Sequence, residues 1–131
     1  MNPMLALRQY QKIGAQAQTS EASPHRLVQM LMEGGLDRIA QAKGAMERKD
    51  IANKGVLISK AIGIIGGLRE GLDLENQAAS VTELDSLYTY MMKRLAEANA
   101  KTDPKILDEV ADLLGTVKEG WDAIAVPGPQ F

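Results

Sequence analysis

The sequence has little aromatic character and no cysteine. Among its 131 residues are one tryptophan, one phenylalanine, one histidine and no cysteine, and aromatic residues make up only 4%. Without cysteine the chain can form neither disulfides nor a thiolate metal site. The core must then be built from aliphatic residues, alanine and methionine, which is typical of packed helices rather than of sheets. The length predicts a single domain with one hydrophobic core.

An excess of one charge is also lacking. Fifteen Lys and Arg are interspersed with 17 Asp and Glu, for a net charge of −2. No basic surface therefore favours nucleic acid as a partner. The first residues lack the apolar run of a signal peptide, and no continuous apolar stretch is long enough to span a bilayer. The sequence predicts a cytoplasmic chain with no membrane insertion.

Apolar residues recur at three- and four-residue spacing in four long segments, which predicts four amphipathic helices. Short connections between them force neighbouring helices to run antiparallel. The expected helices cover about 23–48, 50–73, 80–100 and 103–125. We therefore predict an all-α fold, an antiparallel up-down-up-down four-helix bundle.

The expected helix starts carry residues that cap helices. Ser23 and Asp103, each followed by a proline, are predicted N-caps of the first and last helices. The second helix is expected to start near Asp50. Ser80 or Thr82, each followed three residues later by an acidic residue, predicts a capping box at the third.

Both ends of the sequence are expected to lie outside the bundle of residues 23–125. Residues 1–22 are predicted to form an N-terminal cap segment and linker, because Met4, Leu7 and Tyr10 stand three apart as on a short helix. Such a short helix is marginal in water and would persist only by lying on the bundle. A frayed terminus without a role is the alternative. Residues 126–131 are expected to be a flexible tail.

Four glycines, Gly63, Gly66, Gly67 and Gly71, interrupt the second predicted helix in the stretch AIGIIGGLREGLDLE. Helical periodicity runs through them and no strand precedes them, so they do not fit a phosphate-binding loop. Two interpretations stay open. The glycines permit close helix packing, or some of them face outward and lower the floor of a groove for another chain.

No residue pattern indicates catalysis or a cofactor. A di-iron bundle needs Glu-x-x-His on two helices, whereas this chain has only His25. We expect no enzyme activity, catalytic residue, metal or cofactor. His25 lies in a first helical turn, where an exposed and structurally neutral side chain is expected. A histidine phosphotransfer bundle using His25 is an alternative, disfavoured because His25 lies at a helix end with no lysine close behind.

The apolar faces are wider than a minimal helical seam requires, and the chain contains seven methionines. Both features favour binding of an amphipathic polypeptide, since methionine suits adaptable surfaces. A helical dimerisation or regulatory adaptor fits the same pattern.

Three stretches resemble the flagellar export chaperones of the FliS family. They are ASPHRLVQMLMEGGLDRIAQAKGAM, LDSLYTYMMKRLAEANAK followed by TDP, and VKEGWDAI. The resemblance extends over about residues 10 to 122. The third-helix block, with Leu87, Tyr88, Tyr90 and Met91 in that order, is its most specific part.

The resemblance implies a cytosolic bundle that binds the C-terminal amphipathic segment of flagellin, prevents its premature polymerisation and delivers it to the flagellar type III export gate without ATP. A flagellar regulatory protein is a further partner by the same analogy. The expected flagellin contacts lie in the head segment and on the second and third helices: Leu7, Tyr10, Ile58, Ile62, Ile65, Leu68, Tyr88, Met91 and Leu95.

Overall fold

A computed structural model describes residues 23–72 and 79–124. These residues form four α-helices and no strand, which confirms the all-α four-helix bundle. The helices are α1 (Pro24–Glu47), α2 (Ile51–Glu70), α3 (Ala79–Lys101) and α4 (Pro104–Asp122). The proposed cap segment 1–22 and tail 126–131 lie outside the described residues.

Each helix packs against two neighbours, in the ring order α1, α2, α3, α4 and back to α1. Contacts between helix ends show that neighbours run antiparallel. On α1 and α4, Lys43 pairs with Asp108, whereas His25 contacts Trp121. The bundle thus has a loop end, with the turns at 48–50 and 102–103, and a cavity end, where α1 and α3 begin and α2 and α4 finish.

The two predicted N-caps, Ser23 and Asp103, are confirmed, and Asp50 caps the second helix in the same way. The Ser23 hydroxyl accepts a hydrogen bond from the backbone N–H of Arg26 at 3.1 Å. The Asp50 carboxylate accepts a hydrogen bond from the Asn53 N–H at 3.3 Å, and the Asp103 carboxylate accepts one from the Lys105 N–H at 2.9 Å. Each bond satisfies a backbone donor that has no partner within its own helix.

The capping box predicted for the third helix is wrong. Ala79 is already helical, so Ser80 and Thr82 lie within α3 rather than at its cap. Alanine is the strongest helix former, and the helix accordingly extends upstream of the polar residues.

Both turns at the loop end have the same construction. Lys49 and Thr102 adopt left-handed conformations, with φ of 60° and 50°. The next residue then bonds back across the turn: Asp50 N–H to the Ala45 carbonyl at 2.8 Å, and Asp103 N–H to the Ala98 carbonyl at 3.1 Å. This is the Schellman ending of a helix. Each aspartate therefore finishes one helix and caps the next.

The core is aliphatic, as the composition predicts. Its largest fully buried side chains come from all four helices: Leu31, Met32, Ile58, Ile65, Met91, Leu95, Leu107, Val110 and Leu114. Gly63, Gly66 and Gly67 are buried within the unbroken helix α2. The exclusion of a phosphate-binding loop is thereby confirmed.

Helix α2 is long and apolar enough to cross a membrane by length and composition alone. Half of its most apolar window is buried against the other helices. A core helix of a bundle has these same properties.

Candidate functional site

An apolar cavity of about 500 Å³ lies at the cavity end of the bundle. All four helices contribute to its walls, since the first turns of α1 and α3 meet the last turns of α2 and α4 there. Its principal apolar side chains are Leu27, Val28, Leu31, Leu68, Leu72, Leu84, Tyr88, Val117 and Trp121. Cavities of about 300–1,000 Å³ with such walls are typical ligand sites.

Glycines open two sides of this cavity. Gly67 and Gly71 contribute to the wall from α2, and Gly120 from α4. A Cβ atom added at Gly120 would meet no heavy atom within 4 Å. On α2, Gly71 is exposed and lines the cavity, whereas Gly63 is buried. The interpretation that a glycine leaves room for another chain therefore fits Gly71 better than Gly63.

His25 of α1 and Trp121 of α4 form a reciprocal contact at the cavity end, which we call the clasp. The Trp121 indole N–H donates to the His25 carbonyl at 3.0 Å, and the His25 imidazole Nε2 donates to the Trp121 carbonyl at 2.8 Å. The two rings also stack, with centroids 4.8 Å apart and planes inclined by 12°. The clasp fixes the first turn of α1 against the last turn of α4 and holds the indole in the cavity wall.

The expectation that His25 is exposed and structurally neutral is wrong. Antiparallel packing of α1 and α4 brings Trp121 to it across 96 residues of sequence, which no local pattern indicates. A phosphoryl acceptor needs an accessible ring nitrogen, whereas Nε2 is hydrogen-bonded and the ring is stacked. This geometry disfavours the phosphotransfer alternative.

Tyr88 contributes the most buried aromatic ring of the cavity wall, with 3% of its surface exposed. Burial raises the pKa of its phenol to about 12. A phenol is already neutral at physiological pH and burial favours that form further, so Tyr88 adds no charge to this wall of the cavity.

Several polar side chains belong to residues that adjoin the cavity lining in sequence. Lys118 donates to Asp122 at 2.7 Å, and Gln29 donates to the same carboxyl group at 2.7 Å. These two hydrogen bonds, that of Lys118 first, hold the pKa of Asp122 below its ordinary value. On α2 and α3, Arg69 and Asp85, which follow the lining residues Leu68 and Leu84, pair at 2.6 Å. An apolar cavity whose lining residues adjoin charged residues in sequence suits an amphipathic ligand.

The structure divides the predicted flagellin contacts into three groups. Leu68 and Tyr88 lie in the cavity wall, and Ile62 is half-buried beside the core. Leu7 and Tyr10 lie outside the described residues. The others are at most 1% exposed and belong to the core: Ile58, Ile65, Met91 and Leu95. A ligand reaches these four only after other parts of the protein move, and their contact with flagellin stays a prediction.

Several residues of the cavity wall were not predicted to be site residues. Leu84, Val117 and Trp121 fit the apolar stripes of their helices, and a stripe does not say at which end a gap remains. The antiparallel topology was the one feature of the sequence prediction that could have indicated these residues. In an antiparallel bundle, the first turn of one helix lies beside the last turn of its neighbour, which places Trp121 near His25.

Among the described residues, no group of three or more His, Asp and Glu side chains could hold a metal ion. The fold and the cavity together define an all-α bundle with an apolar cavity at one end.

Comparisons with known proteins identify the family. The family profile described as flagellar protein FliS matches residues 6–128. The chain is 58% identical over 125 residues to the flagellar secretion chaperone FliSB of Pseudomonas aeruginosa, covering 95% of this chain and 99% of that protein. It is 40% identical to the FliS chaperone of Vibrio cholerae over 91% of this chain and 88% of that one. For the Salmonella typhimurium chaperone, identity is 37% over 91% and 89%. The chain belongs to the FliS family of flagellar secretion chaperones.

Proposed function

We propose that this chain binds the C-terminal amphipathic segment of flagellin in the cytoplasm. It prevents premature polymerisation of that segment and delivers it to the export gate of the flagellar type III apparatus. The work is steric protection and requires no catalytic step. A flagellar regulatory protein is proposed as a second partner.

The apolar cavity at the end of the bundle is the observation that carries this proposal. In a secretion chaperone of this family, a volume of about 500 Å³ between four helix ends gives an apolar anchor of a client a place to bury. Asp122, Lys118 and Arg69 each follow a lining residue in sequence and supply charges for the polar face of an amphipathic segment. Leu68 and Tyr88 are the predicted contacts that lie in this wall.

Isothermal titration with a peptide of the flagellin C-terminal segment tests the proposal. We expect one-to-one binding with a negative heat-capacity change, because apolar surface is buried on association. A peptide of the same composition in scrambled order is the control for non-specific apolar contact. Absence of heat with the cognate peptide, or equal binding of the scrambled one, would contradict the proposal.

Two pairs of variants then locate the contacts. Tyr10→Ala is expected to weaken binding and Gln11→Ala to leave it unchanged, because the phenol ring belongs to the predicted contact segment. Gly120→Leu introduces a side chain into the cavity wall, whereas Gly115→Leu adds the same group to α4 away from the cavity; neither added Cβ meets a neighbour within 4 Å. Equal affinities within either pair would remove that contact from the proposal.

A further inference from the structure

Helix α3 consists of two parts that differ in burial. None of residues 79–87 is buried, whereas the core residues of this helix start at Tyr88. Leu84 and Leu87 are half-buried against that core, and Leu84 also lines the cavity. The first part of α3 therefore covers one side of the cavity without a fully buried side chain of its own to anchor it.

The sequences of the two parts differ in the same sense. Residues 79–87 read ASVTELDSL, in which serine, valine, threonine and aspartate are weak helix formers. Residues 91–98 read MMKRLAEA and consist only of strong helix formers. The helical conformation of the first part therefore depends more on contacts with the other helices, and those contacts are the shallower ones.

The other helix ends at the cavity are better attached. Helices α1 and α4 hold each other through the clasp, and Gln29 adds a hydrogen bond to Asp122 at 2.7 Å. The last turn of α2 keeps Leu68 buried. The first part of α3 is joined to α2 by the ion pair of Asp85 with Arg69 at 2.6 Å, whose side chains are 27% and 43% exposed. An ion pair with this exposure contributes little to stability.

We infer that residues 79–87 form a lid on the cavity, which opens while the rest of the bundle stays folded. The ion pair of Arg69 with Asp85 holds the lid closed. When the lid opens, Leu84 leaves the cavity wall, and Met32, which shares this wall, becomes accessible. The opening does not depend on flagellin. A client anchor would reach the interior of the bundle by this route, and this consequence alone rests on the proposed function.

Hydrogen exchange of the full chain tests the lid. Amides 83–87 should exchange about tenfold faster than amides 28–31 of α1 and 117–121 of α4, because local opening is easiest where few contacts hold a segment. Amides 91–98, in the second part of α3, should exchange more slowly than amides 83–87. Exchange at 83–87 that is no faster than at the ends of α1 and α4 would overturn the inference.

Arg69→Gln removes the ion pair that holds the lid and keeps a polar side chain in place. It should accelerate exchange at 83–87 about two- to fivefold, as expected for the loss of a partly exposed ion pair, and leave 91–98 unchanged. Lys118→Gln is the matched control, because it breaks an ion pair with Asp122 at the same end of the bundle. Equal acceleration at 83–87 and 91–98 would mean that α3 opens as a whole, and an equal effect of Lys118→Gln at 83–87 would exclude the ion pair as the cause.

Thiol labelling gives a second readout, because the sequence contains no cysteine. Met32→Cys places one thiol in the cavity wall, and Leu107→Cys places one in the core near the start of α4; both native side chains are at most 1% exposed. Addition of Arg69→Gln should make the first thiol react about two- to fivefold faster with N-ethylmaleimide and leave the second unchanged. A first thiol that does not respond would contradict the lid. Since no client is present, this failure is separate from a failed titration with flagellin.

Discussion

At the scale of single residues, Lys54 is the one charged side chain that is buried among the described residues, at 5% exposure. Its ammonium group donates to the Asn99 carbonyl at 2.9 Å and to the Thr102 hydroxyl at 3.1 Å. Asn99 lies in the last turn of α3 and Thr102 follows the helix in the turn, so the cation is placed where it also interacts favourably with the helix dipole. Lys54 thus links the start of α2 to the end of α3.

Replacement of Lys54 by methionine tests this link, because methionine keeps the length of the side chain and removes its donors. We expect the free energy of unfolding to fall by about 1–3 kcal/mol, since buried acceptors lose a charged partner. Urea denaturation measures the change. Lys60→Met, at an exposed position of the same helix, is the control, and equal losses in the two variants would show that the hydrogen bonds contribute nothing.

Lys49 supplies a second prediction at this scale. Its φ of 60° is strained for a residue with a Cβ atom, whereas glycine adopts it without cost. Lys49→Gly should raise the free energy of unfolding by about 1 kcal/mol. The neighbouring Arg48 has a φ of −86°, so Arg48→Gly should lower stability instead. Thermal unfolding of both variants decides, and a destabilised Lys49→Gly would contradict this reading of the turn.

At the scale of the helices, Gly35 and Gly115 both lie inside helices but have opposite effects on stability. A Cβ at Gly35 of α1 would lie 3.1 Å from Leu114 Cδ2 and 3.5 Å from Ile64 Cγ2, whereas one at Gly115 of α4 would meet nothing within 4 Å. Leu114 is fully buried and has little freedom to move away. Gly35 is therefore a packing requirement, and Gly115 only weakens its helix.

Alanine at these two positions should change stability in opposite directions. Gly115→Ala is expected to stabilise by about 0.5–1 kcal/mol through helix propensity. Gly35→Ala should destabilise, because overpacking costs about 1–3 kcal/mol and exceeds the same propensity gain. Urea denaturation of the two variants measures both signs. A stabilised Gly35→Ala would show that α1 and α4 can separate slightly without cost.

A polar contact between α3 and α4 has a pH dependence that can be predicted. Arg94 donates to Glu109 at 2.7 Å and the Tyr90 hydroxyl donates to it at 2.9 Å. These bonds, that of Arg94 first, lower the pKa of Glu109 below its ordinary value of 4.5. Because the folded pKa is the lower one, the contribution to stability is present above the unfolded pKa and is lost as pH falls through the folded pKa.

Glu109→Gln isolates this contribution. The variant should be less stable than the unmodified protein at pH 7, and the difference should shrink under acid conditions below the ordinary pKa of 4.5. Urea midpoints measured across this range test it. Asp112→Asn, an exposed position on the same helix, is the control. A difference between Glu109→Gln and the unmodified protein that is independent of pH would exclude the ionised contact as its cause.

At the scale of the whole molecule, the two ends of the bundle are held differently. The loop end has two Schellman turns and the buried hydrogen bonds of Lys54. The cavity end depends on the clasp between His25 and Trp121, beside a cavity of about 500 Å³. A cavity forfeits the packing contacts that its lining side chains would otherwise make, so the cavity end should open at lower free energy.

Hydrogen exchange measures this asymmetry. Amides near Trp121 should exchange faster than those near Lys43, and His25→Ala should accelerate exchange at the cavity end alone. Lys43→Ala is the matched control, since it breaks the ion pair with Asp108 towards the other end. Uniform acceleration along α1 and α4 in His25→Ala would mean that the clasp supports the entire bundle rather than one end.

The sequence predicted features that depend on local chemistry. Helix caps such as Ser23 and Asp103 depend only on residues three or four positions away, so the local sequence is enough to predict them. The environment of His25 depends on a partner 96 residues away, and the expectation for it was wrong. The apolar stripe that includes Ile65 and Met91 has the same spacing whether it packs on its own bundle or on a client. The structure places both side chains in the core, and the flagellin contacts stay predictions.

The clasp has a practical consequence in optical terms. Trp121 is the only tryptophan of the sequence, and its indole lies in the cavity wall. When it is excited at wavelengths that the three tyrosines do not absorb, its emission reports on the cavity wall. The wavelength of its emission and its access to a soluble quencher follow the filling and emptying of the cavity without any added label. The protein carries its own indicator at the place where a ligand would enter.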